Sequence, residues 1–340
     1  MKVLLYFEKA NALKQSGIGR ALRHQKKALE SIGVEVTLDP KDTYDIAHIN
    51  TLFNKSYKLL KKCNKKNIPV IVHGHSTVED FRESFRCWKL VKGSFYRCLF
   101  KMYRNAKYII TPTPYSKNLI ENYKGVNAKV YDLSNGIDLE EYAYKEESIK
   151  KFREYFNLKD DEKVVIGVGL FFHRKGIEDF FSVASKMPDV KFIWFGNLAR
   201  ILTQPRILKA IKKRPSNVIM PGYIDGDIIK GAFHNANCLL FPSFEETEGI
   251  VVLEALASKI PVIVRDIGVY DPWLVDNVNC LKAKDVDGFI DKINYCFNND
   301  TSSMIEKGYD VALDRSIDKI GLKLKEIYET VIDETNKTKE

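Results

Sequence analysis

Short apolar runs alternate with longer amphipathic stretches along the whole chain. Runs of three to five apolar, mostly β-branched residues predict strands, and apolar residues spaced three or four apart predict helices. The first half is predicted to hold strands at 3–7, 34–38, 46–49, 70–72 and 108–111 and helices at 19–32, 56–66 and 78–106. The second half is predicted to hold strands at 164–168, 191–195, 218–220, 238–241 and 261–265 and helices at 177–186 and 249–258. Strands that alternate with helices form βαβ units, so the sequence predicts an α/β protein with two doubly wound parallel sheets.

A polar segment at 145–162, with a short helical pattern of its own, separates the two halves. We therefore predict an N-terminal Rossmann-like domain at 1–150 and a C-terminal Rossmann-like domain at 151–315. Residues 316–340 are predicted to form an amphipathic helix that packs back toward the N-terminal domain and ends in a disordered tail.

Composition narrows the class of protein. With 340 residues, 45% of them hydrophobic, the chain can bury a large core, and its length favours two domains. Its apolar runs are shorter than the roughly 20 residues that span a bilayer, and it lacks a signal-peptide pattern, so we expect a cytoplasmic protein. The six cysteines lie far apart without a C-x-x-C pair, which argues against disulfides and against zinc.

The positive charge is unevenly distributed. Residues 1–150 contain 27 Lys and Arg against 16 Asp and Glu, whereas the remainder contains 27 against 29. Such asymmetry indicates that an anionic partner, either nucleic acid or an acidic membrane surface, contacts the first half only.

The segment after the predicted strand at 238–241 carries candidate binding chemistry. It forms a loop that enters a helix at Gly249, and ligands of open α/β sheets bind at such positions. The free N–H groups of a helix start favour phosphate, while Glu246 and Glu254 offer carboxylates that pair with sugar and ribose hydroxyls. Acidic residues also occur near helix starts simply as caps, so the pattern alone leaves both interpretations open.

The seven-residue spacing between Glu246 and Glu254, within Pro-Ser…Glu…Gly-Ile-Val-Val-Leu-Glu-Ala, resembles the donor motif of family 4 retaining glycosyltransferases. That family has the GT-B fold, in which two Rossmann-like domains face a central cleft. The resemblance implies that Glu254 holds the ribose of the nucleotide and that Glu246 lies beside the donor sugar. It implies further donor contacts from the helix start, at Gly249, Ile250 and Val251. The family often has Phe at the position of Glu248.

A second loop, at 167–176, follows a predicted strand and ends in Arg174-Lys175-Gly176. It is similar to the family's loop in which an Arg and a Lys grip the diphosphate. Lys175 matches the Lys, and Arg174 takes the place of an Arg that the family often has at the position of Leu170. Basic loop residues are more often merely solvated, so this assignment depends on the resemblance. Gly196, at the end of the next strand, is a candidate contact for the base.

In the first half, Gly17 and Gly19 open the first helix. The third glycine of a dinucleotide fingerprint is missing, which argues against a dehydrogenase. The resemblance implies that these glycines lie over the donor phosphates, although a helix cap explains them equally well. In the segment His73-Gly-His75, the family match is His75, beside the donor sugar, and the sequence completes no metal-ligand set around it.

A basic and aromatic stretch at 82–107 has eight basic residues and one acid, Glu83. Such a stretch suits the interface of an anionic bilayer, and the six lysines of 55–66 add to it. The alternative is that the rings pack in the core and the charges are only solvated. The predicted membrane and acceptor surface comprises Arg86, Trp88, Lys89, Lys92, Phe95, Arg97, Lys101 and Arg104.

Segments at 16–20, 73–76, 111–117, 134–138 and 245–257 are similar to bacterial diglycosyl-diacylglycerol synthases. This resemblance implies transfer of galactose or glucose from a UDP-sugar to monoglucosyl-diacylglycerol, with retention and an α-1,2 linkage. The enzyme would act peripherally on the cytoplasmic face of the membrane, without nucleic acid, a tightly bound cofactor or a metal. The 1–150 domain would bind acceptor and membrane, and the 151–315 domain the nucleotide sugar.

The predicted catalytic residues are Glu246, His75, Lys175 and Arg174. Front-face displacement, in which the leaving phosphate accepts the acceptor's proton, would need no carboxylate nucleophile. Replacing Lys175 or Glu254 by Ala is then expected to cut turnover without unfolding the protein. Two alternatives remain: a family 4 enzyme with a soluble or polyprenyl-linked acceptor, and a non-catalytic nucleotide-sugar-binding protein at the membrane.

Overall fold

The computed structural model describes residues 1–9 and 16–337, which form two compact units. Unit 1 comprises Met1–Phe81, Lys89–Asp138 and Arg315–Glu340, and unit 2 comprises Arg82–Trp88 and Leu139–Asp314. Each unit has one six-stranded parallel sheet with its own buried core.

The sheet of unit 1 runs in the order β2-β1-β3-β4-β5-β6. Its four central strands are mostly buried, as the apolar runs predict, because helices cover both faces of a parallel sheet, whereas the two edge strands also carry exposed residues. The six strands are β1 (Lys2–Tyr6), β2 (Glu35–Thr37), β3 (Ile46–Ile49), β4 (Val70–His73), β5 (Tyr108–Thr111) and β6 (Lys129–Asp132). The helices of this half are α1 (Gly17–Ser31), α2 (Asn54–Lys65), α3 (Val78–Phe81), α4 (Trp88–Tyr103) and α5 (Pro114–Glu121).

The last helix, α13 (Ile317–Lys337), belongs to unit 1 and packs against α1. A Cβ on Gly321 would lie 2.2 Å from the Ala28 carbonyl oxygen, so only glycine permits this close approach. Tyr328 and neighbouring apolar residues of α13 join the core cluster beneath the sheet. Of the tail at 336–340 that the sequence predicts as disordered, 336 and 337 are helical and 338–340 lie outside the described residues.

The sheet of unit 2 runs in the order β12-β11-β10-β7-β8-β9. Its strands are β7 (Val164–Val168), β8 (Lys191–Phe195), β9 (Val218–Gly222), β10 (Cys238–Phe241), β11 (Val262–Arg265) and β12 (Leu281–Ala283). Its helices are α6 (Glu146–Phe156), α7 (Ile177–Lys186), α8 (Pro205–Lys212), α9 (Asp227–Asn235), α10 (Ile250–Ala257), α11 (Val286–Asn298) and α12 (Ser302–Leu313). A 3₁₀ turn at His173–Lys175 precedes α7.

The strand order of each unit reverses beside its first strand, between β1 and β3 in unit 1 and between β7 and β10 in unit 2. The loops that leave the carboxyl ends of strands at such a switch point diverge and open a crevice. In the second unit this crevice lies between the loops after β7 and β10, which carry the motifs that the sequence singles out.

The single long helix predicted at 78–106 is wrong, because residues 82–87 are not helical. Glu83 and Cys87 both adopt positive φ, at 55° and 60°, which an α-helix does not allow. Within unit 2 the Arg86 N–H donates to the Leu202 carbonyl at 2.7 Å. The spacing of apolar residues along the sequence does not predict such contacts between distant residues.

The predicted domain boundary at residue 150 also needs correction. It falls inside α6, and the two units separate after Asp138 instead. The helix α6 packs closely on α9 of unit 2, where a Cβ on Gly231 would lie 1.9 Å from the Ser148 carbonyl oxygen. In residues 1–9 and 16–337, no helix is both long and apolar enough to cross a membrane.

Candidate functional site

The loop from β10 to α10 has the geometry that the sequence predicts for a phosphate site. Gly249 caps α10 with φ +90°, a left-handed conformation that favours glycine. Among residues 1–9 and 16–337 no side chain caps this helix, so its first N–H groups and the positive end of its dipole are directed at the loop. An anionic group is the ligand that such a helix start favours.

Glu246 lies in this loop, is buried, and forms an ion pair with Lys175. The guanidinium of Arg174 lies 3.6 Å from the same carboxylate oxygen. Burial acts to raise the pKa of Glu246, but the charges of Lys175 and Arg174 outweigh it and hold that pKa below its usual value. The structure thus brings together three of the four predicted catalytic residues, with one carboxylate between two cations.

The tight packing of the loops after β7 and β10 explains how this arrangement is held. Gly176, which follows the 3₁₀ turn, has φ +71°, and a Cβ there would lie 2.2 Å from the Pro242 carbonyl oxygen. The Phe244 N–H donates to the Arg174 carbonyl at 2.7 Å. Backbone contacts between the two loops therefore fix where Arg174 and Lys175 project.

The other carboxylates of the motif are also buried. Glu254 lies in α10, one turn beyond its start, and Glu248 lies in the loop just before Gly249. Carboxylates are almost never fully buried unless they are paired or bind a ligand. The ribose-binding role of Glu254 stays a prediction, and burial makes an exposed capping role implausible for it.

The predicted base contact, Gly196, meets the first loop of the unit. It has φ +134°, and a Cβ there would lie 2.1 Å from the Gly169 carbonyl oxygen. The indole N–H of Trp194 donates to that same carbonyl at 2.9 Å. Glycine at 196 is thus required by backbone approach, whatever its contact with a base.

Three residues near this site were missed by the sequence. Arg265, at the end of β11, donates to the Pro242 carbonyl at 3.1 Å and lies over the Phe244 ring at 3.9 Å, so it braces the loop. Ser84 is buried, and its hydroxyl accepts from Nε of Arg174 at 3.0 Å. Tyr270 is fully buried, and burial and the Glu246 charge both raise its pKa. Of the three, only Arg265 could have been found from the sequence, because it is a charged residue at the end of an apolar run.

In unit 1, the glycines at the start of α1 serve the helix itself. The Ser16 side chain caps α1 and accepts from the Gly19 N–H at 3.3 Å. Gly17 is the first helical residue, and apart from its chain neighbours and its own helix backbone no atom of the described residues lies within 4 Å of the position that a Cβ would take there. This is the helix-cap interpretation, and a donor contact from Gly17 or Gly19 stays a prediction.

His75 follows β4 and accompanies a second histidine. Its Nε2 lies 2.9 Å from Oδ1 of Asn50, and its ring stacks on that of His73 with centroids 3.7 Å apart. Burial, with a further contribution from His48, lowers the pKa of His75 to about 3. The imidazole is therefore uncharged at neutral pH, able to accept a hydrogen bond but not to act as a cation.

The basic stretch at 82–107 divides into two kinds of residue. From Lys89 to Ser94 every residue of α4 is exposed, including Leu90 at 82% and Val91 at 49%. Farther along, Phe95 stacks on Phe81 at 3.8 Å and belongs to a cluster of rings. The prediction that Phe95 faces the membrane is corrected: its ring packs inside unit 1.

The remaining predicted surface residues follow the same division. Arg86, Lys89, Lys92 and Arg97 are exposed, and Trp88 is half-buried. Lys101 and Arg104 are exposed too but lie over rings of their own unit, Lys101 over Tyr57 at 4.1 Å and Arg104 over Phe100 at 4.8 Å. Across the described part of the chain, no group of three or more His, Cys, Asp or Glu side chains could hold a metal ion.

Two family models match the chain, Glycosyltransferase Family 4 over residues 18–141 and Glycosyl transferases group 1 over residues 148–311. The processive diacylglycerol alpha-glucosyltransferase of Acholeplasma laidlawii is 55% identical over 332 residues, covering 98% of this chain and 99% of the relative. Sucrose-phosphate synthase from Thermosynechococcus elongatus superposes with a TM-score of 0.81 at 16% identity, covering 98% of this chain and 99% of that one. Anabaena HepE, solved with UDP-glucose, superposes with a TM-score of 0.76 at 17% identity, over 97% and 100%.

Two parallel doubly wound sheets give the chain the GT-B fold, and the relative at 55% identity shows that it is a glycosyltransferase. The chain belongs to glycosyltransferase family 4. The fold class and the enzyme class predicted from the sequence are both confirmed.

Proposed function

We propose that this enzyme transfers glucose, with retention, from UDP-glucose to a diacylglycerol-based lipid at a membrane surface. The observation that carries the proposal is the 55% identity to a diacylglycerol alpha-glucosyltransferase over nearly the full length of both chains. Among the donors that the resemblance implied, glucose is favoured over galactose because that relative is a glucosyltransferase.

The donor site is proposed in unit 2. The start of α10 faces the diphosphate, Glu254 holds the ribose, and Glu246 lies beside the glucose. Lys175 and Arg174 are paired with Glu246. Entry of a diphosphate offers the two cations a second anion, so their charge is shared between Glu246 and the phosphates.

The chemistry is proposed as a front-face displacement. The acceptor hydroxyl forms a bond to the anomeric carbon while the bond from that carbon to the β-phosphate oxygen breaks. The proton of the hydroxyl passes to the departing phosphate oxygen, so no side chain has to act as base. Lys175, Arg174 and the N–H groups at the start of α10 stabilise the negative charge that builds on UDP, which is the main electrostatic demand of the reaction.

The acceptor is a glycerolipid, and two forms of it are to be distinguished. The sequence resemblance implies monoglucosyl-diacylglycerol and an α-1,2 linkage. The word "processive" in the relative's name supports a wider range, in which diacylglycerol itself and its monoglucosyl derivative are successive substrates.

Membrane association is proposed as peripheral, through the exposed first turns of α4. Leu90 and Val91 are apolar side chains exposed to solvent, and Lys89 and Lys92 lie on either side of them. Apolar side chains that enter the headgroup region, with lysines at the phosphates, are typical of interfacial helices. Each nearby Lys contributes about 1 kcal/mol on an anionic surface.

The decisive experiment supplies purified enzyme with anionic vesicles that contain diacylglycerol or monoglucosyl-diacylglycerol, together with UDP-glucose or UDP-galactose. We expect mono- and diglucosyl lipids from UDP-glucose, identified by mass spectrometry, and α-1,2 linkage from product NMR. EDTA is expected to leave the rate unchanged. Product only with a soluble or polyprenyl-linked acceptor would overturn the lipid assignment, and UDP binding without transfer to any acceptor would overturn the enzymatic one.

A further inference from the structure

Two neighbouring strands of unit 1 bring imidazoles together at the carboxyl edge of the sheet. His48 lies in β3, and His73 is the last residue of β4, the strand paired with β3. Both side chains are buried, and their rings stack with centroids 5.1 Å apart. The ring of His73 also stacks on that of His75. His48, His73 and His75 therefore form one histidine cluster that ends at His75.

The hydrogen bonds of the histidine cluster that lead to His73 all donate in one direction. Nε2 of Gln25, an amide nitrogen that only donates, lies 2.9 Å from Nδ1 of His73, so that Nδ1 accepts. Nε2 of His48 lies 3.0 Å from the same atom and therefore carries the proton. Nδ1 of His48 must then accept from the hydroxyl of Tyr328, which lies 2.6 Å away. The order of donation runs from Tyr328 of α13 to His48 and then to His73.

The same reasoning fixes the state of His75. Oδ1 of Asn50 only accepts, so Nε2 of His75 carries the proton and its Nδ1 keeps a lone pair. Burial lowers the pKa of His48 to about 3 and lowers that of His73 well below its usual value. All three rings are therefore neutral, and a neutral stack imposes an orientation on His75 without adding a charge.

The network is not saturated. Among residues 1–9 and 16–337, the buried atoms without a hydrogen-bond partner include Oε1 of Gln25, Nδ2 of Asn50 and Nε2 of His73. Buried polar clusters that serve only the fold normally pair such atoms, and an unpaired one costs about 1–3 kcal/mol. Three unpaired atoms beside the partly exposed His75 indicate that the cluster is retained for a site rather than for stability.

We propose that Tyr328, His48 and His73 are positioning residues for sugar transfer, which hold the uncharged His75 in one orientation toward the reacting sugar. The C-terminal helix then contributes to the active site through a single hydroxyl. This inference rests on the proposed function, because it takes His75 as the group that contacts the substrate.

The test compares two tyrosine-to-phenylalanine variants in the full-length enzyme. Tyr328→Phe removes the hydroxyl that starts the network. Tyr108→Phe is the matched control, because Tyr108 interacts with Glu334 of α13, the helix that also carries Tyr328. Tyr108 lies at the amino end of β5, whereas the histidines lie at the carboxyl edge of the sheet. Both variants weaken the attachment of α13, but only Tyr328→Phe alters the histidines.

We expect Tyr328→Phe to lower kcat for glucose transfer about fivefold, the equivalent of one neutral hydrogen bond, with KM for UDP-glucose within about twofold of wild type. Histidine ¹⁵N NMR should report a changed His48 tautomer and shifted His75 signals. Tyr108→Phe should keep wild-type kcat and spectra. Should Tyr328→Phe not fold, Gln25→Leu removes the other donor to His73 and is expected to give the same loss.

Unchanged kcat and unchanged His75 signals in Tyr328→Phe would overturn the proposal. So would equal losses in both variants, because these would mean that the helix attachment alone matters. A wild-type enzyme without transferase activity would refute the proposed function instead, and the NMR comparison would still decide whether Tyr328 controls the state of His75.

Discussion

Replacing Lys175 by Met tests whether the ion pair in the donor loop is structural as well as catalytic. Both Lys175 and Glu246 are largely buried, and breaking such a pair by removing one partner costs about 3–5 kcal/mol. Arg174 remains 3.6 Å from the same carboxylate, so we take the lower end, about 3 kcal/mol. The sequence predicts that replacing Lys175 by Ala cuts turnover without unfolding the protein, and the ion pair adds to this an expected loss of stability.

The assay is urea unfolding at neutral pH, followed by tryptophan fluorescence. All three tryptophans, Trp88, Trp194 and Trp273, belong to unit 2, so the signal reports on the unit that contains the pair. With m near 3 kcal/mol/M, a loss of about 3 kcal/mol lowers the midpoint by about 1 M urea. Turnover should fall about 100-fold, as when one donor to a developing anion is lost.

The double variant Lys175→Met with Glu246→Gln separates the two effects. It leaves no unpaired carboxylate, so its free energy of unfolding should return to within about 1 kcal/mol of the wild-type value. Its turnover should remain low, because the cation that faces the diphosphate is still missing. A single variant as stable as wild type, or a double variant as unstable as the single one, would refute the reasoning.

Three further predictions use other parts of the chain. Gly176→Ala should destabilise unit 2 by at least about 2 kcal/mol in the same fluorescence assay, because its Cβ would overlap the Pro242 carbonyl; unchanged stability would contradict the loop geometry. Burial lowers the pKa of His48 from 6.5 to about 3. The unfolded chain therefore binds the extra proton between those values, and wild type should lose about 2 kcal/mol more than His48→Gln between pH 7.5 and pH 5; equal losses would show that His48 is not buried uncharged. Leu90→Asp should weaken anionic-vesicle flotation about tenfold or more, whereas Leu322→Asp, at a similarly solvent-facing leucine, should not; equal effects would reject α4 as the membrane contact.

The elements that sequence predicts best are those whose identity is decided locally. The strands at 164–168, 191–195 and 238–241 are short, mostly apolar and almost fully buried, and the structure gives them the predicted bounds. The helix at 177–186 also has its predicted bounds, because its amphipathic pattern begins directly after the turn at Gly176. In these cases, burial in a parallel sheet requires the same pattern of apolar residues that the sequence shows.

The features that sequence missed depend on contacts between distant parts of the chain. Residues 82–87 read as one helix with their neighbours, but the contacts of Ser84 and Arg86 within unit 2 favour another backbone path. His48 sits inside an apolar strand, where a buried histidine carries no local signal. Its role emerges only from the register of β3 against β4 and from a hydroxyl 280 residues away in sequence.

The two sites differ in charge for a reason that lies in the reaction. The leaving nucleotide gains negative charge, and on the proposed function unit 2 meets it with Lys175, Arg174 and a helix start, while Glu246 pairs with the two cations. The anomeric carbon gains positive charge instead, so a cation beside the sugar would oppose the transition state. An imidazole held neutral by burial keeps its lone pair for a hydroxyl without that penalty. On the proposed function, a cluster of uncharged histidines in which His48 and His73 are buried is thus part of how the enzyme favours departure of UDP.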